Sequence, residues 1–225
     1  MIGWRLFGTS GSLYTAKARS YLRKQRLDFT EFAPATPEFQ ALLPSIGRWN
    51  IPVLQAPDGG IVQDGSAIID PIEAAGHSRV PAMPETPVQR VVALLFELFG
   101  GEGMLRAAMH YRWNFDAVNQ PFIREAFVAG LAPVGAPAAV GAPVFAMAST
   151  RMRAAMAGFG VTAESIPLIE AAHAEFLALF DAHLATTPYL LGGRPTIGDY
   201  GLIAPLFAHL GRDPVPLHLM QRTAR

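Results

Sequence analysis

Thr9-Ser10-Gly11-Ser12-Leu13-Tyr14-Thr15-Ala16-Lys17-Ala18-Arg19 stands between two unlike patterns. Before it, the apolar run Ile2 to Phe7 reads as a buried strand; beyond it, Ala16 to Arg26 is a basic helical pattern. A turn of small hydroxyl residues between strand and helix sets donors at the positive end of a helix dipole, a place that holds an anion, a thiolate included. The same residues have a plainer use, with Ser12 or Thr15 as the helix cap, and locally that is the commoner one.

Outward from this stretch the first third of the chain alternates in type. Asp28 to Phe32 suits a strand, and Thr36-Pro37 opens a helix through Leu43 with the hydroxyl at N-cap and proline at N1. Ile51 to Leu54 and Ile61-Val62 flank the turn Pro57-Asp58-Gly59-Gly60 and read as a hairpin. Asp64-Gly65-Ser66 then caps a helix from Ala67 to Ala75. The order βαβ, α, ββα predicts a small mixed sheet with helices on its faces over residues 1–76. Residues 77–86, with Pro81 and Pro84, read as a linker, and residues 87–225 as an all-helical domain. There, Val88, Val91, Val92, Leu95 and Phe99 form one predicted core stripe, and Ile169, Ala172, Phe176, Phe180 and Leu184 another. Gly100, Gly101 and Gly103 interrupt the first helix before Met104 to Trp113 resumes it. Thr196 and Asp199 open a third helix as a capping box, a structural role.

The 225 residues carry 18 Lys+Arg against 18 Asp+Glu, a balance without the electrostatic footprint of a nucleic-acid or anionic-membrane binder. The absence of cysteine removes disulfides, a thiol nucleophile of the chain's own and thiolate metal sites. The six histidines show no ligand-like spacing, so no metal is expected. The N-terminus lacks the pattern of a signal peptide, which points to the cytoplasm. Between Glu125 and Arg151 there is no charge, but prolines and glycines interleave, so this stretch reads as a loop between helices and not as a membrane span. Glu102, Arg106 and His110 fall at i, i+4 spacing and read as a solvated ion-pair ladder; Met104, Tyr111 and Trp113 beside them are either core or the lining of an apolar pocket.

Two further pieces carry chemistry. The Ile51–Pro52 bond reads as trans on the base rate of X–Pro bonds; a cis bond there would expose the Ile51 backbone for pairing with an extended peptide ligand. At Asp64-Gly65-Ser66 the orphan N–H groups suit a carboxylate and Asp64 an ammonium, so the turn fits a zwitterion.

Together, Ser12 to Arg19, Asn50 to Leu54, Gln63 to Ile68 and Leu191 to Tyr200 resemble the glutathione S-transferase family, in its order and over nearly the whole chain. The run Glu97 to Trp113 is similar to one bacterial branch of it. The resemblance implies a thioredoxin-like N-terminal domain, an all-helical C-terminal domain, a cis Pro52 and a homodimer. It implies glutathione as co-substrate, with Ser12 where serine- and cysteine-type members meet the sulfur. Leu13, Asn50, Ile51, Pro52, Asp64, Gly65 and Ser66 fall on its glutathione-binding positions. Met104, Tyr111 and Trp113 fall near the second-substrate pocket. Leu13 stands where proline is common, and Gly65 where members place Ser or Thr, with Ser66 one position away as a compensating hydroxyl. Relatives usually add helices beyond the point corresponding to Arg225, which implies an open roof on that pocket. The implied activity is attack of the glutathione thiolate on a small hydrophobic electrophile. The other function open to the fold is a non-catalytic dimer that binds a protein or hydrophobic ligand.

Overall fold

The computed structural model describes residues 3–222. The first elements are β1 (Trp4–Phe7), α1 (Leu13–Gln25), β2 (Phe29–Phe32), α2 (Pro37–Gln40), β3 (Val53–Gln55), β4 (Ile61–Gln63) and α3 (Ile69–Ala74). Helices α4 (Pro87–Leu98), α5 (Leu105–Trp113), α6 (Asp116–Leu131), α7 (Ala138–Ala155), α8 (Ile166–Leu184), α9 (Ile197–Ala208) and α10 (Pro214–Arg222) follow. The chain divides into two compact units: residues through Pro81 with Arg124–Met147, and Ala82–Ile123 with Ala148 onward. No helix among the described residues is long and apolar enough to cross a membrane.

In the first unit the sheet runs β2-β1-β3-β4, with β1 parallel to β2 and antiparallel to β3, and β3 antiparallel to β4. The alternation of strand and helix predicts such a small mixed sheet, and its order is the thioredoxin-like one that the family resemblance implies. Phe7, Phe39, Leu42 and Val53 form an apolar cluster on it, Phe7 stacking on Phe32 with centroids 5.4 Å apart.

Helix α1 is polar in sequence yet mostly buried, and its long buried polar side chains have specific partners, as burial in low dielectric requires, while the Thr15 hydroxyl is buried without one. Arg19 chelates Glu31 of β2 at 2.7 and 2.5 Å and donates to the Thr9 carbonyl at 3.2 Å. Tyr21 donates to Glu73 of α3. Gln25 accepts from the backbone N–H groups of Arg79 and Val80 and donates to the Val80 carbonyl.

In the second unit α4 packs on α9 backbone to backbone. A methyl added at Gly201 would lie 2.5 Å from Glu97 Cα, one at Gly198 would lie 2.9 Å from the Ala93 carbonyl, and one at Gly100 would collide with Gly201. Because small residues make this contact, the predicted α4 stripe does not face the core. Ala93 is buried, while Val88 is 75% and Leu95 59% exposed, with Val91, Leu94 and Leu98 beside them. The three glycines produce a π turn over Phe99–Gly103 before α5. On α8 the buried row is Ile169, His173 and Leu177; Phe176 and Phe180 are half-buried at its border and Ala172 is exposed, so the predicted stripe is displaced around the helix.

The uncharged stretch is not a loop. It holds the end of α6 and most of α7, separated by residues 132–137, where Gly135 takes a positive φ of 75°. Alanines at 138, 139, 142, 146 and 148 supply the strongest helix former, enough for α7 to run through Pro143. The Glu102–Arg106–His110 ladder is not solvated throughout either. His110 is buried, its Nε2 2.9 Å from Glu170 Oε1 and its Nδ1 2.8 Å from Asn114 Nδ2, so its partners come from α8 and the end of its own helix. Arg112 forms a buried bidentate pair with Asp213 at 2.6 and 2.8 Å.

Candidate functional site

Strand register brings three separate sequence pieces to one end of the sheet. Phe7 pairs with Val53, and Val53 with Gln63. The residues just outside that row are the β1–α1 turn, the loop entering β3 and the turn leaving β4. Ser12, Ile51 and Asp64 lie in these three segments, all in the first unit.

Ser12 is the N-cap of α1: its Oγ accepts from Thr15 N–H at 3.2 Å. That bond uses a lone pair and leaves the hydroxyl proton, which no described residue accepts. Capping and donation are therefore compatible. Leu13, the first residue of α1, is buried beneath the turn.

The Ile51–Pro52 bond is cis, and among the described residues none hydrogen-bonds to the Ile51 backbone. Asn50 is exposed, and its carbonyl, with that of Arg48, accepts from Gln63 Nε2 at 2.9 and 2.8 Å, which ties the loop to β4. The Pro52 carbonyl accepts from Asp64 N–H at 3.1 Å.

Asp64 has φ +97°, an uncommon conformation for a residue with a side chain. Its Oδ1 accepts from Ser66 N–H at 2.9 Å and faces Ala67 N–H at 3.5 Å. The aspartate thus caps the turn 65–68; it does not cap a helix starting at Ala67, since α3 begins at Ile69 with Ile68 as N-cap. Gly65 packs so closely on α1 that an added Cβ would lie 2.9 Å from the Tyr14 carbonyl. A β-carbon at position 65 would therefore require the turn or the start of α1 to shift. One turn along α1, Lys17 donates to Ser66 Oγ at 2.7 Å although the lysine is only 4% exposed.

Lys17 and Gln63 are contacts that motif reading passed over. Lys17 lies within the quoted motif, but a basic residue in a basic helix carries no sign of burial. Gln63 opens another of the quoted stretches, but a glutamine in a strand carries no sign of the backbone carbonyls it will meet.

The remaining singled-out residues lie in the second unit. Met104, Tyr111 and Trp113 are all buried, Tyr111 with centroids 5.8 Å from Phe115 and 5.2 Å from His173. Burial, with the Glu170 charge adding to it, raises the Tyr111 pKa. His173 is buried without a hydrogen-bond partner on either ring nitrogen, and burial, assisted by His110, lowers its pKa to about 4. At the start of α9, Asp199 accepts from Thr196 N–H at 2.7 Å and from Leu190 N–H at 2.9 Å, completing a capping box. Among the described residues no group of three His, Asp or Glu side chains is placed to hold a metal.

Residues 6–79 match the family model described as glutathione S-transferase, N-terminal domain, and residues 150–216 match that described as glutathione S-transferase, C-terminal domain; together they span more than half of the chain. Among solved structures, a glutathione S-transferase from Rhodospirillum rubrum is similar over 98% of this chain and 84% of its own, at 17% identity and TM-score 0.59. The beta-etherase LigF from Sphingobium sp. is similar over 100% and 96%, at 16% identity and TM-score 0.57. FzlA from C. crescentus is similar over 99% and 85%, at 18% identity and TM-score 0.55. At such identities the likeness is one of fold. No curated protein matches the chain. With both halves of the fold matched in their order along the sequence, the chain belongs to the glutathione S-transferase family.

Proposed function

We propose that the chain is a glutathione transferase of the serine type, acting in the cytoplasm as a homodimer on a small hydrophobic electrophile. The observation that carries this reading is the placing of Ser12, Ile51 and the Asp64–Ser66 turn at one end of the sheet. Glutathione is an extended peptide with a thiol between a zwitterionic end and a carboxylate. The Ile51 backbone pairs with its cysteinyl part, the Asp64 carboxylate takes the γ-glutamyl ammonium, and Asn50 lies near the glycyl carboxylate. Pro52, Leu13, Gly65 and Ser66 complete the binding surface.

A free thiol of pKa about 8.5 is only a few per cent ionised at neutral pH. Lowering that pKa by about two units takes roughly 2.7 kcal/mol, within reach of one hydrogen bond to a charged group and the dipole of α1. Ser12 stays protonated and donates to the sulfur. The sulfur electron pair then forms a C–S bond to the electrophile, whose leaving group departs with the electrons of the broken bond.

The exposed apolar row of α4 supports a homodimer, since such a patch is normally covered. It also favours the second reading, a non-catalytic dimer of the same fold. Calorimetric titration with glutathione, followed by turnover with a chloronitrobenzene for wild type and Ser12→Ala, tests both. Binding with turnover that drops at least tenfold in the variant is expected. Binding without turnover selects the second reading, and absence of binding ends the first.

A further inference from the structure

A cavity of about 270 Å³ lies at the C-terminal end of α1, lined by Arg23, Lys24, Arg26, Arg79 and Val80. At 13 residues, α1 separates it from Ser12 by about 20 Å. Among the described residues the lining holds four cationic side chains and no carboxylate, in a chain whose acids and bases balance overall. Three of the cations come from the end of α1, where they also complement the helix dipole. The fourth, Arg79, is more than fifty residues away in sequence and is brought there by tertiary structure.

The device that brings it is Gln25. Fully buried, it accepts from Arg79 N–H at 2.8 Å and Val80 N–H at 2.9 Å and donates to the Val80 carbonyl at 2.8 Å. The backbone of Arg79 and Val80 is thereby fixed beside the end of α1, with the four charged side chains exposed around the hollow. Arg26 takes the left-handed conformation, φ +55°, where helices usually end on glycine.

We infer that this cavity is a binding site for a small phosphorylated anion. Guanidinium groups match phosphoryl oxygens two at a time, and three arginines around one hollow offer more donors than a single carboxylate can use. The volume lies at the small end for ligand sites, which suits an oligophosphate or sugar phosphate and not a large apolar ligand. The site does not touch the glutathione surface, so the two stand or fall separately.

Calorimetric titration of the full chain with inorganic tripolyphosphate at low salt tests it. Saturable one-to-one binding is expected, weakened about tenfold by moderate salt. Arg23→Gln with Arg79→Gln lowers the affinity at least tenfold without moving the melting temperature. Arg79→Lys, which keeps the charge but loses the fork, lowers it less. Ser12→Ala leaves it unchanged. No saturable binding, or binding indifferent to the Arg23 and Arg79 changes, overturns the proposal. So does a single-stranded RNA oligonucleotide that binds more tightly and displaces tripolyphosphate, since the face is then a nucleic-acid surface.

Discussion

Lys17 Nζ donates to Ser66 Oγ at 2.7 Å from a position buried beneath the first turn of α1. An ammonium has donors only, so the seryl oxygen is the acceptor, and its orientation is set by the lysine. The contact locks the Asp64–Ser66 turn to the helix that Ser12 caps. It falls one turn along from the place where Gly65 meets the Tyr14 backbone.

Lys17→Met keeps the volume of the stem and removes the charge. With the turn no longer anchored, glutathione binding is expected to weaken about fivefold to tenfold, the loss of one hydrogen bond of about 1 kcal/mol. Steady-state kinetics reads this as a raised KM for glutathione with kcat nearly unchanged. A fall in kcat alone contradicts a positioning role at the binding end.

Ser12→Ala removes two things at once. The cap of α1 is lost, which is expected to lower stability by about 1 kcal/mol in urea unfolding. The donor to the sulfur is lost as well, so the pKa of bound glutathione, followed by thiolate absorbance, should rise by one unit or more. Ser12→Thr keeps both functions and should restore both. A bound thiol with the same pKa in wild type and Ser12→Ala removes Ser12 from the chemistry.

His173 gives the fold a pH dependence of definite sign. In the folded chain burial and the neighbouring His110 hold its pKa near 4, while the unfolded chain titrates near 6.5. Between those values the unfolded state binds the extra proton, so stability is full above about pH 6.5 and falls as pH drops toward 4. The shift corresponds to about 3 kcal/mol at the acid end. Urea unfolding at pH 7.5 and pH 5 measures it, and His173→Phe should flatten this part of the profile. An unchanged slope in the variant assigns the effect elsewhere.

The apolar row of α4 sets the state of assembly. Leu95→Glu, with Val91→Glu as a second charge, places carboxylates in the exposed row and leaves the Ala93 contact with α9 intact. Sedimentation should show a dimer in the wild type and a monomer in the variant, with unchanged far-ultraviolet circular dichroism. A wild type that sediments as a monomer at micromolar concentration disproves the dimer.

The local chemistry of the chain was enough for the order of elements around the sheet and for the start of α9, because particular boundaries there have a residue that enforces them. A hydroxyl at Ser12, a Pro57-Asp58-Gly59-Gly60 turn and a Thr196–Asp199 cap act within a few residues of themselves, and the structure has an element start or reversal at each. What the chain's local pattern left open was which surface covers which. Periodicity shows that α4 has an apolar face, but Gly198 and Gly201 let backbone meet backbone on the face of Ala93, and so the larger residues point outward. Nor does a run without charge distinguish loop from helix when alanine and proline compete; the alanines of α7 prevail. The burial of Lys17, the seating of His110 against Glu170 and the capture of Arg79 by Gln25 all join residues distant in sequence. Such contacts arise from the packing of whole elements, whose energy no short stretch carries, and they were decided only when the chain folded.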